Sequence, residues 1–270
     1  MQKIYKKAFT LVELLVVIAI VGLLSGVAVV AMGGSRAKAK IAAGQSFEAT
    51  VGHAVGSEVI GEWLFDEGSG SAARDTSGNG HNGTITGPVW GTGIVGGGLV
   101  LASGRYVTLD TDTALNPSNF TITAWIKPGD FTGAYNYIYS NARDCCGTYN
   151  GIDFRVATSR LLMTLWNGGA FQLWGSTTIT NDPVWVFVAA TYNGSKLNTY
   201  INGRLEASAT TAIGVGSPAT AAAIIGGMGT GPSLSLNGTI DQVRLYGSAI
   251  VAKDIERLYA TERIKYFAEK

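Results

Sequence analysis

The sequence predicts a mainly β protein, an antiparallel β-sandwich that follows one long N-terminal helix and ends in a short C-terminal helix. Three observations carry the prediction. Phe9 to Met32 is an apolar run in which Glu13 is the only charge. From Ser57 onward the hydrophobic period changes to two, in short runs divided by turn residues. The composition agrees, with 37 Gly, only 6 Pro and 46% hydrophobic residues.

At 270 residues the chain has room for one or two domains. Charged residues are 14%, against roughly 25% in an ordinary soluble protein, which excludes a disordered, charge-rich chain. A net charge of +1 gives no electrostatic footprint for nucleic acid, and none is expected as a partner. The charge is uneven: residues 1–40 carry six Lys or Arg and one Glu, whereas residues 41–270 carry fourteen against eighteen Asp or Glu. The two cysteines, Cys145 and Cys146, are adjacent. That spacing rules out a zinc knuckle. It leaves two thiols or a strained vicinal bridge, because neighbouring Cα atoms about 3.8 Å apart lie below the usual disulfide range.

The first element is the apolar run. Its length spans a bilayer as a helix and exceeds the apolar region of a secretory signal peptide. Lys3, Lys6 and Lys7 precede it, favouring a cytoplasmic N-terminus, but Arg36, Lys38 and Lys40 follow it, so charge alone decides little. Glu13 is costly there and calls for a partner, yet no Lys or Arg lies within the run. A free amine would serve if the chain were cut just before Phe9. The stretch KKAFTLVELLVVIAIVGLLSG resembles the leader and helix start of type IV pilins and type II secretion pseudopilins. The resemblance implies that a prepilin peptidase removes residues 1–8 by cutting between Ala8 and Phe9. It also implies that Phe9 is N-methylated and that Glu13 pairs with the N-terminus of a neighbouring subunit. Gly22 matches a helix glycine of the family. Two positions depart from its pattern: Ala8 stands where Gly is usual, and Val30 where a proline is often found. The helix is expected to run on through Phe47, Val51, Ala54 and Val55, which share one face, for roughly 70 Å in all.

The strand-like runs follow in order: EVIGEWLF, RYVTL, FTITAWI, YNYIY, GIDFRVA, LLMTLW, AFQLW, VWVFVAATY, LNTYI and QVRLY. Asn193-Gly194 and Asn202-Gly203 predict two consecutive hairpins with primed turns. Asn167-Gly168 and Asn237-Gly238 add turn signals, and 251–266 reads as the closing helix. Residues 63–87, 119–128, 184–207 and 236–259 resemble the laminin-G-like jelly roll of the concanavalin-A-like lectins, in that family's motif order. The expected division is 1–8 leader, 9–56 helix with 9–32 in the membrane, and 57–270 jelly roll.

Three groups are candidate sites. DTSGNGHN, residues 75–82, is oxygen-rich, as Ca²⁺ requires. The laminin-G resemblance implies calcium held by Asp75, Asn79, Asn82 and the later Asp241. The competing reading is an Asx-turn without metal, and His81 is expected to be exposed. Tyr135, Tyr137 and Tyr139 alternate on one strand ahead of NARDCCGTYN. Tyr135, Tyr137, Arg143, Asp144, Cys145, Cys146 and Tyr149 make a candidate ligand loop for a sugar, against the plainer expectation that the tyrosines face the core. The six Trp are expected to be mostly core. Catalysis is not expected. The E-x-D-x-E run of retaining jelly-roll glycosidases is missing, and Glu58, Glu62 and Asp66, four apart, reach too widely.

The sequence thus points to a subunit of a type IV pilus or related filament. It would sit in the cytoplasmic membrane before assembly and outside the cell afterwards, packed against identical or related subunits, with a lectin-like head that meets glycans or cell surfaces. The alternatives are a type II secretion pseudopilin and a membrane-anchored carbohydrate-binding module that does not polymerise.

Overall fold

The computed structural model describes residues 11–12, 14–20, 59–131, 135–145, 148–217, 222–228 and 234–268. It divides into two compact units, Met1–Ser46 and Phe47–Lys270. In the first, residues 11–12 and 14–20 are helical. Among the described residues no helix is long and apolar enough to cross a membrane. Ala8, Phe9, Glu13, Gly22 and the helical continuation through Val55 lie outside the described residues, as does Glu58.

The second unit is two antiparallel sheets. One has the order β15-β14-β13-β7-β17-β5-β4, with β1 also on β17. Its strands are β1 (Val59–Trp63), β4 (Trp90–Thr92), β5 (Gly97–Leu101), β7 (Phe120–Pro128), β13 (Val186–Tyr192), β14 (Lys196–Ile201), β15 (Arg204–Thr210) and β17 (Gly238–Tyr246). The other has the order β12-β11-β10-β8-β16-β6-β3-β2, with β9 on β10. It holds β2 (Ala72–Ala73), β3 (Gly83–Thr86), β6 (Tyr106–Thr108), β8 (Asn136–Ser140), β9 (Arg143–Cys145), β10 (Thr148–Ala157), β11 (Arg160–Asn167), β12 (Ala170–Thr178) and β16 (Ile224–Ile225).

Period-two alternation builds the core between the sheets. Ile122, Ala124 and Ile126 of β7 face inward with Val188 and Ala190 of β13 and Ile240 and Leu245 of β17. Ile152, Phe154 and Val156 of β10 and Leu161, Met163 and Leu165 of β11 meet them from the other sheet. The intervening residues of β7 and β13 do not face solvent either. Trp125, Phe187 and Ala189 form a second cluster with Ile255 and Leu258 of the C-terminal helix, Ala252–Ala268. Arg244 fastens that helix. It donates to Glu262 and, at 2.6 Å, to Glu62, while the Trp125 indole also donates to Glu262.

Turn chemistry was legible at one of the two expected primed turns. Asn202 and Gly203 both have positive φ, 50° and 76°, as that turn requires. Between β13 and β14 only Gly194 does. There the Asn193 carboxamide accepts the N–H groups of Ser195 and Lys196, so the connection is a wider Asx-type turn. Asn237-Gly238 is no hairpin turn: Gly238 opens β17, and the Asn237 N–H donates to Asn136.

Candidate functional site

Strand β10 reads Ile-Asp-Phe-Arg-Val over residues 152–156. Since its odd-numbered neighbours alternate with core residues, Asp153 and Arg155 stand on the face of the second sheet turned away from the core. Cross-strand partners share that face: Ser140 opposite Asp153 on β8, Tyr137 opposite Arg155, and Thr164 and Leu162 opposite the same two residues on β11. Trp174 of β12 lies opposite Leu162.

These residues form one polar and aromatic cluster. The Asp153 carboxylate is fully buried and accepts from Ser140 Oγ at 2.7 Å, Trp166 Nε1 at 2.7 Å and Arg155 Nη1 at 3.4 Å. Burial pushes its carboxyl above the ordinary range, while the donors from Ser140, Trp166 and Arg155 pull it back. Arg155 Nη1 also donates to Tyr137 Oη at 2.8 Å. The guanidinium carbon lies 5.1 Å from the Tyr137 ring centre and 5.7 Å from that of Tyr135, within cation–π range. The two tyrosine rings stack 6.3 Å apart. Tyr149 packs on Trp166 with centroids 4.9 Å apart. Further along, the exposed Arg160 guanidinium lies 5.2 Å from the ring centre of Trp174.

The tyrosines correct the simple alternation. Tyr139 is in the core, but a register shift opposite Phe154 and Arg155 turns Tyr137 to the outer face. Tyr135 precedes β8 and is 50% exposed. Residues 141–150 are not an open loop: Arg143–Cys145 pairs with Thr148–Asn150, making the tip of a long hairpin. Gly151 permits the bend below that tip. Its φ is +115°, and a Cβ there would come within 2.6 Å of Asn141 Oδ1. The backbone of Arg143, Asp144 and Cys145 is thus placed beside the cluster. Their side chains, and Cys146 as a whole, lie outside the described residues. The tryptophans divide. Trp63 and Trp125 are buried, Trp90, Trp166 and Trp185 partly buried, and Trp174 is 39% exposed.

Asp153, Arg155, Trp166, Arg160 and Trp174 were missed from sequence. One signal was available: Asp and Arg alternating with three apolar residues mark a strand whose second face carries charge.

The expected calcium ligands are differently employed. Asp75 Oδ1 accepts the N–H groups of Glu62 and Ser77, and Oδ2 that of His81. Asn82 accepts the Asp75 N–H, and the Asn79 amide donates to the Val59 and Ile60 carbonyls. Asp241 Oδ2 accepts from Ile94 and Val95, and Oδ1 from Gln242. Burial pushes the Asp241 carboxyl up to about 8, the amides of Val95, Ile94 and Gln242 oppose this, and nearby Asp66 adds to it. Among the described residues no three His, Cys, Asp or Glu side chains are grouped to hold a metal ion. As arranged, the Asp75 and Asp241 carboxylate oxygens accept backbone amide hydrogens, the geometry of an Asx-turn and a strand clamp. His81 is buried rather than exposed, with Nδ1 3.1 Å from Asp110 Oδ2 and its carbonyl accepting the Trp63 indole.

Residues 101–256 match the family model described as the concanavalin A-like lectin/glucanases superfamily. The chain belongs to this superfamily. Residues 4–29 match the prokaryotic N-terminal methylation motif, so the pilin-type segment and the lectin-like sandwich stand on one chain. No curated protein matches the sequence. Among solved structures, the binding domain of Paraclostridial Mosquitocidal Protein 1 is similar at a TM-score of 0.62 and 17% identity, over 76% of this chain and 52% of that one. Domain 4 of AbnA, an extracellular arabinanase from Geobacillus stearothermophilus in complex with arabinotriose, is similar at 0.60 and 20%, over 75% and 98%. A structure of botulinum neurotoxin type C, whose cell entry depends on interaction with two ganglioside molecules, is similar at 0.59 and 16%, over 78% and 52%. This chain thus spans about half the length of the toxin chains it matches. At these identities the likeness shows the fold.

Proposed function

We propose that this chain is a structural subunit of a type IV pilus or related extracellular filament, and that its β-sandwich binds glycans on surfaces the filament meets. The observation that carries the filament reading is the helix start. Leu11, Val12, Leu14, Leu15, Val16, Val17, Ile18 and Ile20 are each between 48% and 77% exposed. Apolar side chains on every side of a helix need lipid first and other helices afterwards. The methylation motif that contains them supports processing by a prepilin peptidase and assembly with identical or related subunits.

The glycan reading rests on the outer face of β8, β10, β11 and β12. Half-exposed rings offer flat apolar surfaces, and the guanidinium beneath them offers hydrogen bonds. That combination suits a sugar ring, which has both C–H faces and hydroxyls. We infer binding rather than catalysis. Glu62 is committed to Arg244 and Thr76, and Asp66 to the Gly97 amide, so neither is poised as a free acid or base.

Mass spectrometry of the mature protein tests the filament reading. The expected N-terminus is a methylated Phe9; an intact Met1 in protein recovered from cell-surface filaments overturns it. The protein composition of sheared filaments separates a pilus subunit from a secretion pseudopilin. An intact Met1 together with glycan binding would instead indicate a membrane-anchored module.

A further inference from the structure

We propose that the outer face of β8, β10, β11 and β12 selects sugars bearing a carboxylate, received on the Nε/Nη2 edge of Arg155. The proposal rests on the glycan-binding reading above and adds the ligand's charge.

Arg155 is 7% exposed, and both of its hydrogen bonds leave from Nη1, to Tyr137 and Asp153. Its Nε is buried without a partner. Thr164 Oγ1, opposite Asp153 on the same face, is likewise buried and unpartnered. Buried donors without acceptors are rare in folded proteins. The Nε–H and one Nη2–H of a guanidinium point in parallel, and that fork matches the two oxygens of a carboxylate. Asp153 does not compete for this edge, because its oxygens are held by Ser140, Trp166 and Nη1.

The local charge points the same way. Among the described side chains the face carries Arg155 and Arg160 against Asp153, and Arg160 lies over a ring, Trp174, rather than pairing with a carboxylate. This cationic patch sits in a region, residues 41–270, where eighteen acidic residues outnumber fourteen basic ones. An acidic sugar is therefore drawn to this face and repelled by much of the remainder. Tyr135 supplies the platform, since its ring is half exposed and lies beside the guanidinium.

Calorimetric titration of the full chain in neutral detergent micelles tests this. The probes are a galacturonate trisaccharide and sialyllactose, with galactotriose and lactose as their neutral counterparts. At least about tenfold tighter binding of the acidic sugars is expected, the scale of one good charged hydrogen-bonded pair, and it should weaken with added salt. Arg155→Gln should abolish the preference. Because that change leaves Asp153 buried without its cation, the exposed variants Arg160→Gln and Tyr135→Ala serve as second probes; each should lower acidic-sugar affinity severalfold with the melting temperature kept. Equal affinity for acidic and neutral sugars overturns the charge selectivity and leaves the glycan face standing. A preference that survives the Arg155 and Arg160 variants places binding elsewhere and overturns the proposal. No binding of any of the four sugars overturns the glycan reading and this proposal together.

Discussion

Trp166 donates its indole N–H to the Asp153 carboxylate at 2.7 Å, a diagonal contact across the β10–β11 pair, in which Asp153 itself lies opposite Thr164. The same indole packs on Tyr149. One side chain therefore both satisfies a buried carboxyl and forms part of the partly exposed aromatic surface, which couples the stability of the sheet to the shape of the site.

Trp166→Phe separates the two roles. A ring still packs on Tyr149, but Asp153 loses one of its three donors in a fully buried place. The expected cost is about 1–3 kcal/mol, read as a lower midpoint with unchanged slope in urea unfolding. A midpoint equal to that of the parent would show that Asp153 does not depend on the indole.

The pH dependence of folding should carry the signature of Asp241. Its carboxyl is raised in the folded state to about 8, by burial first and by Asp66 in addition, whereas in the unfolded chain it is ordinary. The folded state therefore holds the proton over the window between the two values, and its stabilising effect is lost as pH rises from about 4 through about 8. Asp241→Asn, which cannot ionise, should flatten stability across that window. An unchanged slope in the variant assigns the pH dependence to other groups.

Calcium gives a direct check on the loop at 75–82. With three amides on its carboxylate, Asp75 acts as an Asx-turn and strand clamp. Asp75→Ala should cost about 1–2 kcal/mol, equally with Ca²⁺ and with chelator, and the parent melting temperature should not move between those conditions. A rise with Ca²⁺ that Asp75→Ala removes would mean that the amides give way to a cation.

Glu13→Val should improve the segment as a membrane anchor and impair assembly. The neighbouring subunit's buried amine would lose its counter-charge, which is costly in a low-dielectric setting. Quantifying filaments against membrane-retained protein decides this; a normal filament yield with Val at position 13 removes the pairing role.

The sequence by itself determined the division of labour along this chain. An apolar run with one acidic residue behind three lysines matches an N-terminal methylation motif, and the period-two runs after Ser57 turn alternate residues into a shared core. Each of the ten strand-like runs became a strand, because alternation is a local property and needs no knowledge of the partner. What local pattern could not give was pairing. The short strand Gly97–Leu101 pairs with β17, and Trp90–Thr92 pairs in turn with Gly97–Leu101; neither stands among the period-two runs of the sequence. Tyr137 and Tyr139, two apart and expected on one face, are split by a register shift that only the pairing with Phe154 and Arg155 creates. The same holds for function. Asp75 and Asp241 have the right oxygens for calcium, but the fold presents each with backbone amides first. Asp153 and Arg155 read in sequence only as part of a strand and Trp166 as core, yet tertiary packing gathers them on one face, buries a guanidinium Nε without an acceptor, and sets aromatic rings beside it. Which polar atoms end buried and unpaired is decided by strand register and by what packs above the sheet, and neither is written in any single segment.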